Sequence, residues 1–389
     1  MRRIIAIFIL LALLLLTGCT RAISSTPFST PARETPFSSP SPVVLSHTPP
    51  GPTLTLSPAL TPSLTPSLSP TPTQTFTPAP PPLITLVFTG QIVPARCVQA
   101  AIDEKGNADY IYEGVLDFLQ PADLTIGTLN SSLSDVAPRT GCVETFVLAG
   151  SPENADAMAR AGIDVMSVAT NHIKNCGVTS CGDEAFYETL DNLRRVGIFP
   201  VGAGANHAEA MQPVVVEIQG IKFGIVSLGQ IEQSAYAGEN SPGIAVLNEE
   251  NLRAAIATAR EMSDVVIVMP HWGPEYTHTP NPSQLALARV AADAGADLII
   301  GNHPHYIQAF GDVNGIPVFY GLGNFVFDQT QERERQQSLI LRVYFQGTEY
   351  LGYEIFPTIS EKDGTLHLAD EEETAEILLN LQAINEDLP

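Results

Sequence analysis

The sequence predicts a layered α/β domain, and three observations carry that prediction. Apolar strand-like runs alternate with capped helical stretches from residue 83 onward, the final stretch reads as an antiparallel β run, and Val265 to His305 spells strand, helix and strand with histidines at both strand ends.

Residues 1–19 stand outside the fold. Arg2 and Arg3 precede an apolar run from Ile4 to Leu16, and Leu16-Thr17-Gly18-Cys19 comes next, which resembles a bacterial lipoprotein signal peptide with its lipobox. Cleavage there leaves Cys19 as a lipidated N-terminus. An uncleaved anchor is the alternative, but the run is shorter than the ~20 residues a span needs. Either way the remainder is expected outside the cytoplasm, tethered to the cell membrane.

Residues 20–82 are rich in Ser, Thr and Pro, with 17 of the chain's 32 prolines falling in residues 1–82. Proline fixes φ and removes a backbone donor, so this stretch is expected to be an extended, disordered linker, a stalk that carries the C-terminal domain.

Residues 83–389 suffice for one large domain. Residues 1–82 contain four Arg and one Glu, which leaves 15 basic and 41 acidic residues here, a net of −26. That surface repels nucleic acid and anionic lipid. Four cysteines remain once Cys19 is set aside, and an even number in an extracytoplasmic domain favours two disulfides with three possible connectivities, of which Cys97 with Cys142 and Cys176 with Cys181 is the one expected.

Strands are expected at Leu83–Phe88, Leu124–Leu129, Asp164–Ala169, Val214–Ile218, Phe223–Leu228, Val318–Tyr320, Ser338–Phe345 and Tyr353–Pro357. Helices are expected near Tyr110–Leu119, at Pro152–Ala161, Glu184–Val196 and Glu371–Ile384. Between strands Val265–Met269 and Leu298–Ile300, a helix carries Asn281 as N-cap, Pro282 at its first position, Gln284 for a capping box and Gly295 beyond its end. A right-handed crossover makes these strands parallel and puts His271, His303 and His305 at one carboxyl edge of the sheet, where open α/β folds bind ligands. In an extended turn His303 and His305 point the same way, which suits one metal ion. His207 and His278 match no pattern and read as surface residues.

The ordered set Gly90-Gln91-Ile92-Val93-Pro94-Ala95-Arg96, Ala122 through Asn130, Asn171-His172, His271-Trp272-Gly273-Pro274-Glu275, Gly301-Asn302-His303-Pro304-His305 and Gly321-Leu322-Gly323-Asn324-Phe325 resembles the CapA family, capsule and poly-γ-glutamate synthesis proteins with a calcineurin-like metallophosphatase fold. The resemblance implies a four-layer sandwich, two mixed β-sheets flanked by helices, with a metal site on loops at the strand ends. It implies Asn171, His271, His303 and His305 as metal ligands and His172 as the residue that polarises a substrate oxygen, with Arg96 beside it as a second catalytic candidate. Gln91, Asn130, Trp272, Glu275 and Asn324 are assigned to the pocket and its rim.

Departures from the family pattern bear on function. Gln91 stands where the pattern has Asp, Asn130 where it has Glu, Thr128 where it has Asn, Asn302 where it has His, and Asn175 where it has a further acid. Two divalent cations repel each other and need anionic bridging ligands, which amides cannot supply. A dinuclear site is therefore not expected. One divalent ion (zinc, manganese or similar) and no ion remain equal alternatives, with Asp135, Glu144 or Glu275 as acids that could stand in.

Two functions fit these residues. One is a degenerate member that binds an anionic cell-envelope polymer or its synthesis machinery without turnover. The other is a mononuclear metal-dependent phosphoesterase or hydrolase acting on that polymer, with His172 as general acid or stabiliser. No GxSxG, no phosphate-binding P-loop and no basic patch occurs, so serine hydrolase, nucleoside triphosphatase and nucleic-acid-binding functions are not supported.

Overall fold

The computed structural model describes residues 45–46, 81–174 and 182–388, and these described residues form one compact unit. Two β-sheets lie face to face. In the first, the strands run in the order Leu366–Leu368, Glu349–Ser360, Gln337–Gln346, Leu83–Ile92, Leu124–Leu129, Val165–Ser167 and Phe199–Val201, with Asn324–Val326 also pairing with Leu83–Ile92. In the second the order is Leu45–Ser46, Val214–Ile218, Ile221–Gly229, Val265–His271, Leu298–Ile300, Ile316–Phe319 and Phe310–Val313.

The β-branched and aromatic residues of these strands explain the layering. Phe88, Ile126, Leu341, Phe223, Ile267 and Ile300, alternating along their strands, are fully buried in one cluster between the sheets. The opposite faces bury a second and a third cluster. Val98 and Ile102 of helix Cys97–Lys105, Met158 of Glu153–Arg160 and Phe186 of Glu184–Arg195 cover the first sheet. Leu252 and Ile256 of helix Glu249–Met262 and Ala288 and Ala291 of Pro282–Ala294 cover the second. Helix, sheet, sheet and helix make a four-layer α/β sandwich.

The crossover segment folds as its punctuation predicts. Val265–His271 and Leu298–Ile300 are parallel, with Ile267 opposite Leu298. Helix Pro282–Ala294 has both arms of its capping box, Gln284 N–H to Asn281 Oδ1 at 2.9 Å and Asn281 N–H to Gln284 Oε1 at 3.0 Å. Gly295 closes it at φ 103°.

Elsewhere the chain departs from expectation. The helix expected near Tyr110–Leu119 is two 3₁₀ turns, Asp109–Ile111 and Glu113–Val115, and one α-turn, Leu116–Leu119. The Cβ of any residue at Gly114 would strike Leu366 O, so the backbone lies against the neighbouring strand there and tightens instead of continuing as a regular helix. Helices Cys97–Lys105 and Glu249–Met262 are additions to the expected elements; the first lacks a capping side chain, whereas the second has Asn248 as its N-cap and Leu252, Ala255, Ile256 and Ala259 at helical spacing. Cys97 is joined to Cys142, while Cys176, Cys181 and Asn175 lie outside the described residues. No helix among the described residues is long and apolar enough to cross a membrane.

Candidate functional site

The carboxyl ends of parallel strands from both sheets supply the site. Leu83–Ile92 delivers Gln91, Leu124–Leu129 is followed by Asn130, and Val165–Ser167 leads to Asn171 and His172. From the second sheet, Val265–His271 ends on His271 and Leu298–Ile300 runs into Asn302, His303 and His305. The register between Leu83–Ile92 and Leu124–Leu129 shifts between Phe88 and Gln91, and Gln91 pairs with Thr128 beyond the shift. Gly90 allows it, since a Cβ there would collide with Gly323 O and with Ser338 Oγ.

The backbone is strained where the side chains converge. Arg96, Tyr276, His303 and His305 take φ values of 52°, 58°, 107° and 64°, a region costing non-glycine residues of order 1–3 kcal/mol each. The turn holding His303 and His305 is therefore not extended, and the two rings diverge. His303 Nδ1 sits 3.1 Å from His271 Nε2, which is 2.9 Å from Asn171 Oδ1. His305 Nδ1 turns away to Asn324 Oδ1 at 2.8 Å and Gln91 Nε2 at 3.2 Å, with ring centres 6.0 Å from His303.

The expected trio of His271, His303 and His305 thus does not close around one point. No group of three or more His, Cys, Asp or Glu side chains among the described residues is arranged to hold a metal ion. Two ions do not fit: Gln91 and Asn130, in the places a bridging carboxylate would take, are bonded to each other, Asn130 Nδ2 donating to Gln91 Oε1 at 2.9 Å. The donors that do face one another are Asn171, His271 and His303, all neutral.

Burial keeps these imidazoles uncharged. It pushes His271 well below the ordinary histidine value and His303 down to about 3, helped in both by neighbouring histidines. Burial also lowers His305, and takes His172 down to about 4 with the charges of His305 and Arg96 adding to it. His172 is therefore neutral at pH 7 and is no imidazolium acid. Its Nδ1, like that of His271, is buried with no hydrogen-bond partner.

Other expectations change. Arg96 is not free for substrate: its Nε donates to both Asp328 oxygens at 3.0 and 3.1 Å, a terminal nitrogen is also ion-paired to Asp328, and another donates to Thr145 O at 3.1 Å. Asp328 also accepts from Cys97 N–H at 3.1 Å, so the pair anchors a loop beside the site. Trp272 is 1% exposed and packs in the helix-facing cluster of the second sheet, its Nε1 donating to Tyr320 O at 3.0 Å, because it follows His271 on a strand whose residues alternate faces. Glu275 does stand at the rim, 4.0 Å from His305 Nε2. Asp135 pairs with Arg139, and Glu144 accepts from Gln331. His278 is half-buried rather than a surface residue, its Nδ1 2.9 Å from Ile307 O and its ring stacked on Tyr306.

Sequence reasoning missed Asp328, Tyr276 and Arg335. Tyr276 stacks on His305 with ring centres 5.5 Å apart, and the Arg335 guanidinium lies 3.9 Å over the Tyr276 ring. Asp328, an acid shortly after the Asn324–Val326 strand end, was the one with a readable signal.

The family described as bacterial capsule synthesis protein PGA_cap matches residues 85–329. The chain belongs to this family. Among its relatives, the PGA biosynthesis protein CapA of Bacillus subtilis is 29% identical over 260 residues, covering 66% of this chain and 67% of that one. The capsule biosynthesis protein CapA of Bacillus anthracis is 30% identical over 266 residues, covering 66% and 63%. The chain thus spans about two thirds of the length of these CapA proteins. Among solved structures, the NAD nucleotidase of Haemophilus influenzae is similar at 11% identity and TM-score 0.42, over 77% of this chain and 62% of that one. A hypothetical protein of Thermus thermophilus is similar at 12% identity and TM-score 0.44, over 70% and 98%.

Proposed function

We propose that this PGA_cap chain serves capsule or poly-γ-glutamate synthesis at the cell envelope as a binding or assembly component, and that its pocket holds an anionic polymer without cleaving it. The observation that carries the reading is the amide pair. Where a hydrolytic two-ion centre needs a bridging carboxylate, Gln91 and Asn130 bond each other. The names of the Bacillus relatives supply the pathway. The lipobox-like Cys19 and the Pro/Ser/Thr-rich linker support a lipid-anchored, extracytoplasmic position, tested by Cys19→Ser, which releases the protein from the membrane fraction if the anchor is real.

The deciding experiment incubates the purified chain with poly-γ-glutamate and follows both binding, by calorimetry, and polymer length, by size-exclusion chromatography. Binding with unchanged length supports the reading; shortening of the polymer refutes it.

One observation favours a second reading. Asn171 Oδ1, His271 Nε2 and His303 Nδ1 lie 2.9 and 3.1 Å apart around His271 Nε2, and that atom cannot satisfy both neighbours as a single hydrogen-bond donor. These three would hold one divalent ion, which would supply polarisation of a bound oxygen, and His172 would orient the substrate as a neutral imidazole. Elemental analysis finding one ion per chain, lost in His303→Ala, would favour this hydrolase.

A further inference from the structure

Departures from the family pattern touch one another. Gln91 bonds Asn130, and Asn302 Nδ2 donates to Thr128 Oγ1 at 2.9 Å. All four side chains are at most 3% exposed. These contacts and their extensions cross from one sheet to the other, at the edge where a metal centre would join them.

The orientations of Asn130, Gln91 and Asn324 are set by unambiguous donors or acceptors. The backbone N–H of His172 can only donate, and it meets Asn130 Oδ1 at 3.0 Å. Asn130 Nδ2 must then face Gln91, whose Oε1 accepts it. Gln91 Nε2 is left for the His303 carbonyl, 3.3 Å away on the second sheet. On the far side, Asn324 Nδ2 donates to Arg335 O at 2.9 Å, so its Oδ1 faces His305 and takes the Nδ1 proton at 2.8 Å. Asn171 and His271 make a further link between sheets, as do Asn302 and Thr128.

We infer that this amide network, rather than metal ions, ties the two sheet edges together, and that positions 91 with 130 and 128 with 302 act as coupled pairs. A carboxylate at position 130 would set an acceptor against Gln91 Oε1. One at position 91 would lose the donor that reaches His303 O. Neither acid is tolerated alone without a cation, whereas both together recreate an anionic nest for one.

The inference goes deeper into the metal-poor pocket on which the proposed function rests, and its test separates the two. Melting midpoints are measured for the full chain, for Gln91→Glu, Asn130→Asp and the double variant, in chelator and in Mn²⁺, with elemental analysis of each. Wild type is expected to melt at the same temperature in both. Each single variant should melt lower by roughly 5 °C or more, from a buried unmatched acceptor. The double variant should melt lowest in chelator, rise in Mn²⁺, and carry at least one more ion than wild type. Should the double variant fold only in Mn²⁺, its loss of structure on chelation gives the same support. Asn302→Ala with Thr128→Ala, free of any new charge, should lower the midpoint equally in chelator and Mn²⁺. A wild-type midpoint that drops in chelator overturns the inference and the metal-poor reading together. Singles as stable as wild type, or a double variant indifferent to Mn²⁺, overturn the inference alone. Failure of the wild type to bind polymer overturns only the proposed function.

Discussion

His303 Nδ1 lies 3.1 Å from His271 Nε2, and both rings are buried. Two imidazoles at that distance cannot both carry charge. Burial disfavours the charged form of each ring and the neighbouring histidines add to it, so the folded chain refuses a proton long after the unfolded chain accepts it. For His303 the window runs from the ordinary value near 6.5 down to about 3, and for His172 down to about 4. Between these limits the unfolded state binds more protons, so stability falls as pH falls, by up to about 1.4 kcal/mol per pH unit for each histidine. Above pH 7 these groups make no difference. Melting curves from pH 7 to 4 should decline, and His303→Asn should flatten the slope.

The Arg96 and Asp328 side chains are only 8% and 4% exposed. Removing one partner strands a buried charge, so Asp328→Ala is expected to cost about 3–5 kcal/mol in urea unfolding. Lys105→Ala serves as the contrast. Its ion pair with Asp363 is over a third exposed on each side, and the loss should stay below about 1 kcal/mol.

The Cys97–Cys142 bridge spans 45 residues. In the chain-entropy account a loop of that length stabilises by about 4 kcal/mol, so reduction or Cys142→Ser should lower the melting midpoint by roughly 10 °C.

Trp272 is the only tryptophan, which makes its environment readable. A Cβ at Gly301 would collide with Tyr320 O and the Trp272 indole nitrogen. Gly301→Ala should push the indole from its carbonyl partner, destabilise the fold by about 1–3 kcal/mol and shift the emission maximum.

The central crossover was legible because its signals agree: β-branched runs, a capping box and a closing glycine all mark the same boundaries. The candidate residues were legible too, through the order of short motifs. Their partners were not. Asn324, Asn130 and Gln91 meet His305, His172 and His303 through contacts separated by 19 to 212 positions, and a linear pattern carries no distance of that kind. The divergence of His303 from His305 rests on two positive φ angles that no residue type there announces. Trp272 was misplaced for a simpler reason, since the alternation along a strand puts the neighbour of a site histidine on the opposite face.

The distances along the chain also set an order of events. The bridge between Cys97 and Cys142 closes over 45 residues, whereas Gln91 must wait for His303, 212 residues later. A chain emerging N-terminus first can form its covalent clasp while half the pocket is still unsynthesised. No N-terminal fragment short of His303 can assemble the pocket. Such an intermediate is cross-linked but siteless, so its oxidation state alone would be a poor sign of maturity.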